Sequence, residues 1–380
     1  MAPSPKSLAF HFRNLRDPRR DHLKRHLLLD IIAVTLCAVL CGAKDWQQVV
    51  TFAEQRLDWL RTFLALPEGI PSHDTFERVF DRLKPAAFQA CFLRWVDAFA
   101  EELGLKHIAI DGKTLRSSGN AKNGWAALHL VSAWAGEGHL SLGQVAIDQK
   151  SNEITAIPRL LELLDLQGAL VTIDAMGCQK EIAQKIVEAG GDYVLSVKEN
   201  HPGLLQDIRA ALDHAFDNDF KGMKHDNYQT EETGHGRDER RTYVTLEDPQ
   251  GIAEESAWKS LKVIGMCIRE RVVKGKRSEE VHYFIGSRVM TARAYGEVLR
   301  AHWGIENGLH WQLDVTFRED DNRVQKRNEA ENLAAVRRMA LTLLKRHPGK
   351  GSIACKQLSA ALNPDFLAEV LCPGLKLRKP

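Results

Sequence analysis

No CxxC pair occurs among the seven cysteines of this 380-residue chain, and their number is odd. That pattern argues against a disulfide framework and against a structural zinc site, which leaves reduced thiols in a core. Long apolar runs are scarce too. The longest, over residues 27–41, is interrupted by Asp30 and falls short of the roughly 20 apolar residues that a membrane-spanning helix needs. Pro3 and Pro5, with no apolar stretch closing on small side chains, do not read as a secretory leader, so the cytoplasm is the expected location. Compositional bias is also missing: 44% hydrophobic and 27% charged residues describe a folded chain, long enough for more than one hydrophobic core. No internal repeat or low-complexity tract interrupts it.

A net charge of +2 has no strong sign, so any polyanion-binding surface must lie in local patches. Arg13, Arg16, Arg19, Arg20, Lys24 and Arg25 form one such run, and residues 323–350 hold another. Either run can equally be a solvated face.

Residues 1–100 read as all-helical, with apolar periodicity over 27–42, 46–66 and 72–83 and a fourth helix restarted by Pro85. Ser72 followed by Asp74 and Thr75 marks a helix start. From residue 105 the pattern becomes β-prone: 107–111, 128–134 and 140–147, then a helix over 153–166, a strand over 170–174, a helix over 180–189 and a strand over 193–197. Three strands followed by alternating helix and strand imply a mixed sheet, an antiparallel meander joined to right-handed crossovers. Residues 199–290 read as a β-rich insertion with strands at 242–246, 261–269 and 282–286. Residues 291–350 return to helix, and 351–380 form a C-terminal tail.

Two acids stand in equivalent places. Asp111 closes Ile-Ala-Ile before a glycine, and Asp174 closes Val-Thr-Ile before Ala-Met-Gly. A carboxylate at the end of a buried strand is costly without a compensating charge, which a divalent cation supplies; a single such Asp more often caps a turn. In the sheet expected here the two strands are neighbours, so both carboxylates can reach one metal pair. A third ligand must come from a later element. Glu306, beside aromatic residues in His302-Trp303-Gly304-Ile305-Glu306, is the candidate, against a bland reading as a Glu paired with Arg300 or His302.

Ile-Asp111-Gly-Lys-Thr-Leu-Arg116, Val-Thr-Ile-Asp174-Ala-Met-Gly-Cys-Gln179, Val-Lys198-Glu-Asn200 and His302-Trp-Gly-Ile-Glu306-Asn-Gly-Leu-His310-Trp resemble the signature blocks of bacterial insertion-sequence DDE transposases. The subgroup is the one that includes the H-repeat-associated proteins. The resemblance runs from about Asp17 to Leu344. It implies an α/β, RNase H-like mixed-sheet catalytic domain with a β-rich insertion, preceded by an all-helical N-terminal domain that binds DNA. It also implies Asp111, Asp174 and Glu306 as the catalytic and metal-binding triad. Mg²⁺ is then the cofactor, with Mn²⁺ substituting. The partners implied are double-stranded DNA, as terminal inverted repeats and as target, and a second copy of the chain once assembled on DNA, in the cytoplasm beside the nucleoid. Lys113, Arg116, Lys198, Asn200 and His302 lie in the matching blocks and are the expected DNA contacts. Many members of the wider group carry Tyr, Arg and Lys around the final Glu; here Leu299, His302 and Leu313 hold those places. His302, Lys198 or Arg318 would then take over phosphate gripping.

Arg237 and Arg241, in a glycine-containing loop, add forked guanidinium groups suited to phosphate, against the plainer reading of a solvated hairpin neutralised by Asp238 and Glu239. A zinc reading of His302, Glu306 and His310 fails, because the outer two lie about 12 Å apart along a helix axis. A phosphate loop at Gly112-Lys113-Thr114 also fails, since position 107 is His. A catalytically inactive, transposase-derived DNA-binding protein remains the alternative.

Overall fold

The computed structural model describes residues 8–103, 106–119, 126–147, 151–234, 236–252 and 257–371. In chain order the first helices are Leu8–Phe12 (α1), Leu28–Leu40 (α2), Trp46–Gln55 (α3), Leu57–Leu60 (α4), His73–Arg82 (α5) and Pro85–Leu103 (α6). Asp45 caps α3 by accepting from the Gln48 amide at 2.8 Å, and Pro85 opens α6 where its missing N–H costs nothing. The single helix expected over 46–66 divides at Arg56 into α3 and α4. Strands His107–Leu115 (β1), Leu128–Ala135 (β2) and Leu140–Ala146 (β3) follow, then Glu153–Leu161 (α7), Leu170–Ile173 (β4), Lys180–Glu188 (α8), Asp192–Val197 (β5) and Pro202–Asp217 (α9). Four long strands come next: His225–Gly234 (β6), Arg237–Glu247 (β7), Val263–Val273 (β8) and Lys276–Gly286 (β9). The chain ends in Ala292–His302 (α10), a π-helical turn at Glu306–His310, Trp311–Val315 (α11), Arg327–Arg346 (α12), Ile353–Leu362 (α13) and Pro364–Leu371 (α14). The expected C-terminal tail thus carries two helices.

Two compact units divide these elements, one holding residues up to 105, 112–150 and 306 onward, the other 106–111 and 151–305. In the first, α12 is buried along most of its length and packs with α2, α5 and α6. Trp46 Nε1 donates to Glu329 at 2.5 Å, and Asn332 donates to the Phe80 and Leu83 carbonyls at the end of α5. The N-terminal helices therefore share their core with a helix from far along the chain. This unit also holds the order β3-β2-β1, and Leu115, Leu128, Leu130, Ala146, Ala330 and Ala334 form one apolar cluster between sheet and helix.

In the second unit β1 pairs parallel with β4, and β4 parallel with β5. Strand β1 runs through the unit boundary, its first five residues on one side and its last four on the other. The order β3-β2-β1-β4-β5, with an antiparallel hairpin beside parallel strands, is the RNase H-like α/β arrangement. The β-rich stretch after residue 198 is present, but α9 precedes its strands and it does not fold apart. Strand β9 pairs antiparallel with β5, so β9-β8-β7-β6 extends the same sheet. Gly286 is needed at that join, because Tyr295 lies across it where a Cβ would sit. Leu170, Val194, Val263, Phe284 and Tyr295 are the core there.

Candidate active site

Ile110 and Ile173 are register partners on adjacent parallel strands. Asp111 and Asp174 each follow that pair by one residue, so the two acids occupy neighbouring positions on adjacent inner strands. Both are half-buried. Asp174 ends β4 and caps the short 3-10 turn Ala175–Gly177, accepting from the amides of Met176 (3.1 Å) and Gly177 (3.3 Å). Asp111 differs from expectation: β1 continues to Leu115, so this acid stands inside a strand. Burial raises the Asp174 carboxyl above the ordinary range and Glu153 adds to the rise, while the Gly177 and Met176 amides and Lys198 oppose it. A carboxylate so placed gains from a nearby cation.

Lys198 and Asn200 reach the same turn. Asn200 Nδ2 donates to the Ala175 carbonyl at 2.7 Å, holding the turn that Asp174 caps, and Lys198 is exposed just beyond β5. His302 is held differently. Its Nδ1 lies 2.9 Å from Thr172 Oγ1, which lies 2.9 Å from His107 Nε2. Burial pushes both imidazoles down to about 4, so His302 is neutral near pH 7 and engaged inside the unit. That does not suit the cationic phosphate grip expected of it.

In the other unit Glu306 opens the π-helical turn and its carboxylate is exposed. Such turns are uncommon and often mark functional sites. His310, buried in the same turn, places Nδ1 3.1 Å from Glu306 Oε2. The four-residue spacing of the two residues is visible in the sequence, yet His310 is absent from the expected site. Gly308 lets the turn approach Trp134, whose ring would lie 3.1 Å from an added Cβ.

Lys113 is buried rather than presented to solvent. Its Nζ lies 2.6 Å from Asp314 Oδ1, 3.1 Å from Asp320 Oδ1 and 3.9 Å from Glu319 Oε2. Arg116 is exposed and stands 3.5 Å from Asp320. At the β6–β7 turn Arg237 is exposed, whereas Arg241 is mostly covered and paired with Glu232 and with Glu239, a buried carboxylate that also meets Arg271. His235 of that loop lies outside the described residues.

Asp111, Glu306 and His310 each offer a ligand atom of a kind that divalent ions accept, as does Asp174. Carboxylate oxygens are donors that Mg²⁺ and Mn²⁺ prefer. Cys37, Cys91, Cys178 and Cys267 are buried free thiols, and Cys372 lies outside the described residues. Among the described residues no helix is long and apolar enough to cross a membrane.

Residues 9–96 match the family model described as DDE_Tnp_1-associated, and residues 102–343 match the one described as Transposase DDE domain. The protein of Escherichia coli O157:H7 named "Putative transposase YncI" is 40% identical, with 99% of this chain and 97% of that protein aligned. The Escherichia coli K12 protein named "H repeat-associated putative transposase YhhI" is 37% identical over 96% of this chain and 98% of its own. Among solved structures, a piggyBac transposase synaptic complex with hairpin DNA aligns at a TM-score of 0.41 and 10% identity, covering 96% of this chain and 78% of that one.

Proposed function

Because this chain belongs to the Transposase DDE domain family, we propose that it cuts and joins DNA at the ends of an insertion sequence, using divalent ions held by Asp111, Asp174 and Glu306. The observation that carries this reading is the shared register of Asp111 and Asp174, one residue past a paired Ile110 and Ile173 on parallel strands. Ordinary turn caps need no such coincidence.

Mg²⁺, with Mn²⁺ able to replace it, supplies charge neutralisation at phosphorus and activation of the attacking oxygen when bound. Asp111 and Asp174 would offer carboxylate oxygens from adjacent inner strands, and the Asn200 bond keeps the Asp174 turn in shape. Glu306 contributes from an exposed turn, with His310 orienting its Oε2. Lys198, Arg116 and Arg237 are exposed, and on this reading they bind DNA phosphates. In the first step water attacks phosphorus and the bond to the 3′ oxygen breaks, leaving a 3′-hydroxyl and a 5′-phosphate. In the second the freed 3′-hydroxyl would attack a phosphorus of target DNA, forming a new 3′–5′ phosphodiester while the bond from that phosphorus to the target's own 3′ oxygen breaks, and that oxygen leaves as a 3′-hydroxyl. No protein nucleophile is required, since positioning and charge stabilisation carry phosphoryl transfer. The substrate is double-stranded DNA bearing terminal inverted repeats, and two copies of the chain act together on paired ends.

The test uses full-length protein and DNA carrying the inverted repeats that flank its gene. Asp111→Asn, Asp174→Asn and Glu306→Gln should each slow cleavage by at least about a thousandfold, a barrier increase of about 4 kcal/mol, while DNA binding persists. Ca²⁺ should support binding without cleavage. Full activity in chelator, or wild-type cleavage by any one variant, removes the proposal or that residue from it.

A further inference from the structure

We propose that Lys113 is a positioning residue that fastens the Glu306 turn to strand β1, and does not grip DNA phosphate; this rests on the transposase reading above. Lys113 lies two residues beyond Asp111, on the same side of β1, because strand side chains alternate. Lys113 is 7% exposed, and its ammonium is surrounded by carboxylates of Asp314, Asp320 and Glu319. Reaching a phosphate would require stripping those partners away and carrying the charge out of a buried site. Binding Asp314 requires nothing to move. Asp314 belongs to α11, which continues directly from the π-helical turn that Glu306 opens. A fixed Asp314 therefore fixes the root of the Glu306 turn.

The surroundings are built to hold this arrangement. Glu319 is itself buried and meets Arg338 at 3.2 Å and Arg337 at 3.8 Å, both buried on α12. Arg338 also donates to the Ala334 carbonyl at 3.1 Å and lies 3.5 Å from Ser132 Oγ on β2. Strands β1 and β2, α12 and the 314–320 segment are thus tied through one ion cluster. Arg318, just before the two acids, takes a left-handed backbone at φ 54°. A non-glycine residue rarely adopts that conformation without some compensating constraint, and here it turns Glu319 and Asp320 toward the cluster.

The two roles predict opposite effects at Asp314. Under the positioning role, Lys113→Met and Asp314→Asn each lower the single-turnover cleavage rate, by about 100-fold if the Glu306 carboxylate is displaced by about 1 Å. DNA affinity and its salt dependence stay at wild-type values, and the double variant is no slower than the slower single one. Lys113→Arg, which keeps the charge, recovers part of the rate. Under phosphate gripping, Lys113→Met weakens DNA binding and lowers the salt slope by about 0.9, while Asp314→Asn frees the ammonium and tightens binding. Should Lys113→Met fail to fold, the partly exposed Asp314→Asn still decides: slower cleavage with unchanged binding supports the proposal, tighter binding overturns it. Variants as fast as an active wild type overturn this proposal alone. A wild type that cleaves nothing overturns the transposase reading instead.

Discussion

A buried carboxyl on α12 shows how one residue can set the pH response of stability. Burial pushes Glu329 up to about 7; the Trp46 bond and Lys326 pull it down, and Glu77 and Asp81 push it further up. Between the ordinary value of 4.5 and about 7 the folded chain holds more protons at this site than the unfolded chain. Stability from this group is therefore full below 4.5, falls as pH rises through the window and levels off above it. The span is worth on the order of 3 kcal/mol. Glu329→Gln stays neutral at every pH and retains an oxygen for the Trp46 N–H. Its melting temperature should exceed that of wild type above pH 7, with a flatter profile between about pH 5 and 7. A variant that melts below wild type at pH 7.5 would show that the ionised carboxylate stabilises the fold.

At the scale of elements, the strands and helices with clear periodicity are legible in the sequence, and Asp174 follows its strand as the periodicity implies while Asp111 lies inside a strand that runs further. Asp111 and Asp174 are legible because each directly follows a short apolar run. His310 is harder to read: its meaning depends on sharing a π-helical turn with Glu306, which no residue pattern announces. The burial of Lys113 is equally hidden, since its partners Asp314, Glu319 and Asp320 lie far along the chain, Asp320 207 residues on. Strand β6 has almost no apolar alternation and owes its conformation to pairing with β7. Helix α9, by contrast, carries a helical stripe of Leu204, Leu205, Ile208 and Leu212 after Pro202, and the expectation of strands alone there misses it. What covers the N-terminal helices is hidden for a different reason: periodicity identifies a buried face without saying which element covers it. Asn332 makes that cover specific, with bonds of 2.9 and 3.0 Å to the Phe80 and Leu83 carbonyls. Asn332→Ala should lose about 2 kcal/mol and several degrees in thermal unfolding followed by circular dichroism. A shift within one degree would mean α5 is held by apolar packing alone.

For the whole molecule, a net charge of +2 rules out a strong global attraction to DNA, so affinity has to come from a few exposed cations. The candidates are not equivalent. In the N-terminal run Arg19 is held by Asp17 and the His26 carbonyl and Lys24 by Asp21, whereas Arg16, Arg20 and Arg25 are exposed. In the long β-strands Arg241 is covered and neutralised by Glu239 and Glu232, leaving Arg237 as the exposed charge at that turn. Each phosphate contact contributes about 0.9 to the slope of log affinity against log salt. Replacing Arg16, Arg20 and Arg25 with Ala should therefore flatten the slope by about 2.7 if all three meet phosphate, measured on full-length protein with terminal-repeat DNA in Ca²⁺. Replacing Arg237 and Arg241 together should flatten it by only about 0.9, not 1.8, because Arg241 already spends its charge on Glu239. Equal losses from the two arginines changed singly would place Arg241 on the DNA after all. An unchanged slope in the triple variant would assign the N-terminal run to solvated surface and move the search for the DNA contact to Arg116 and Lys198.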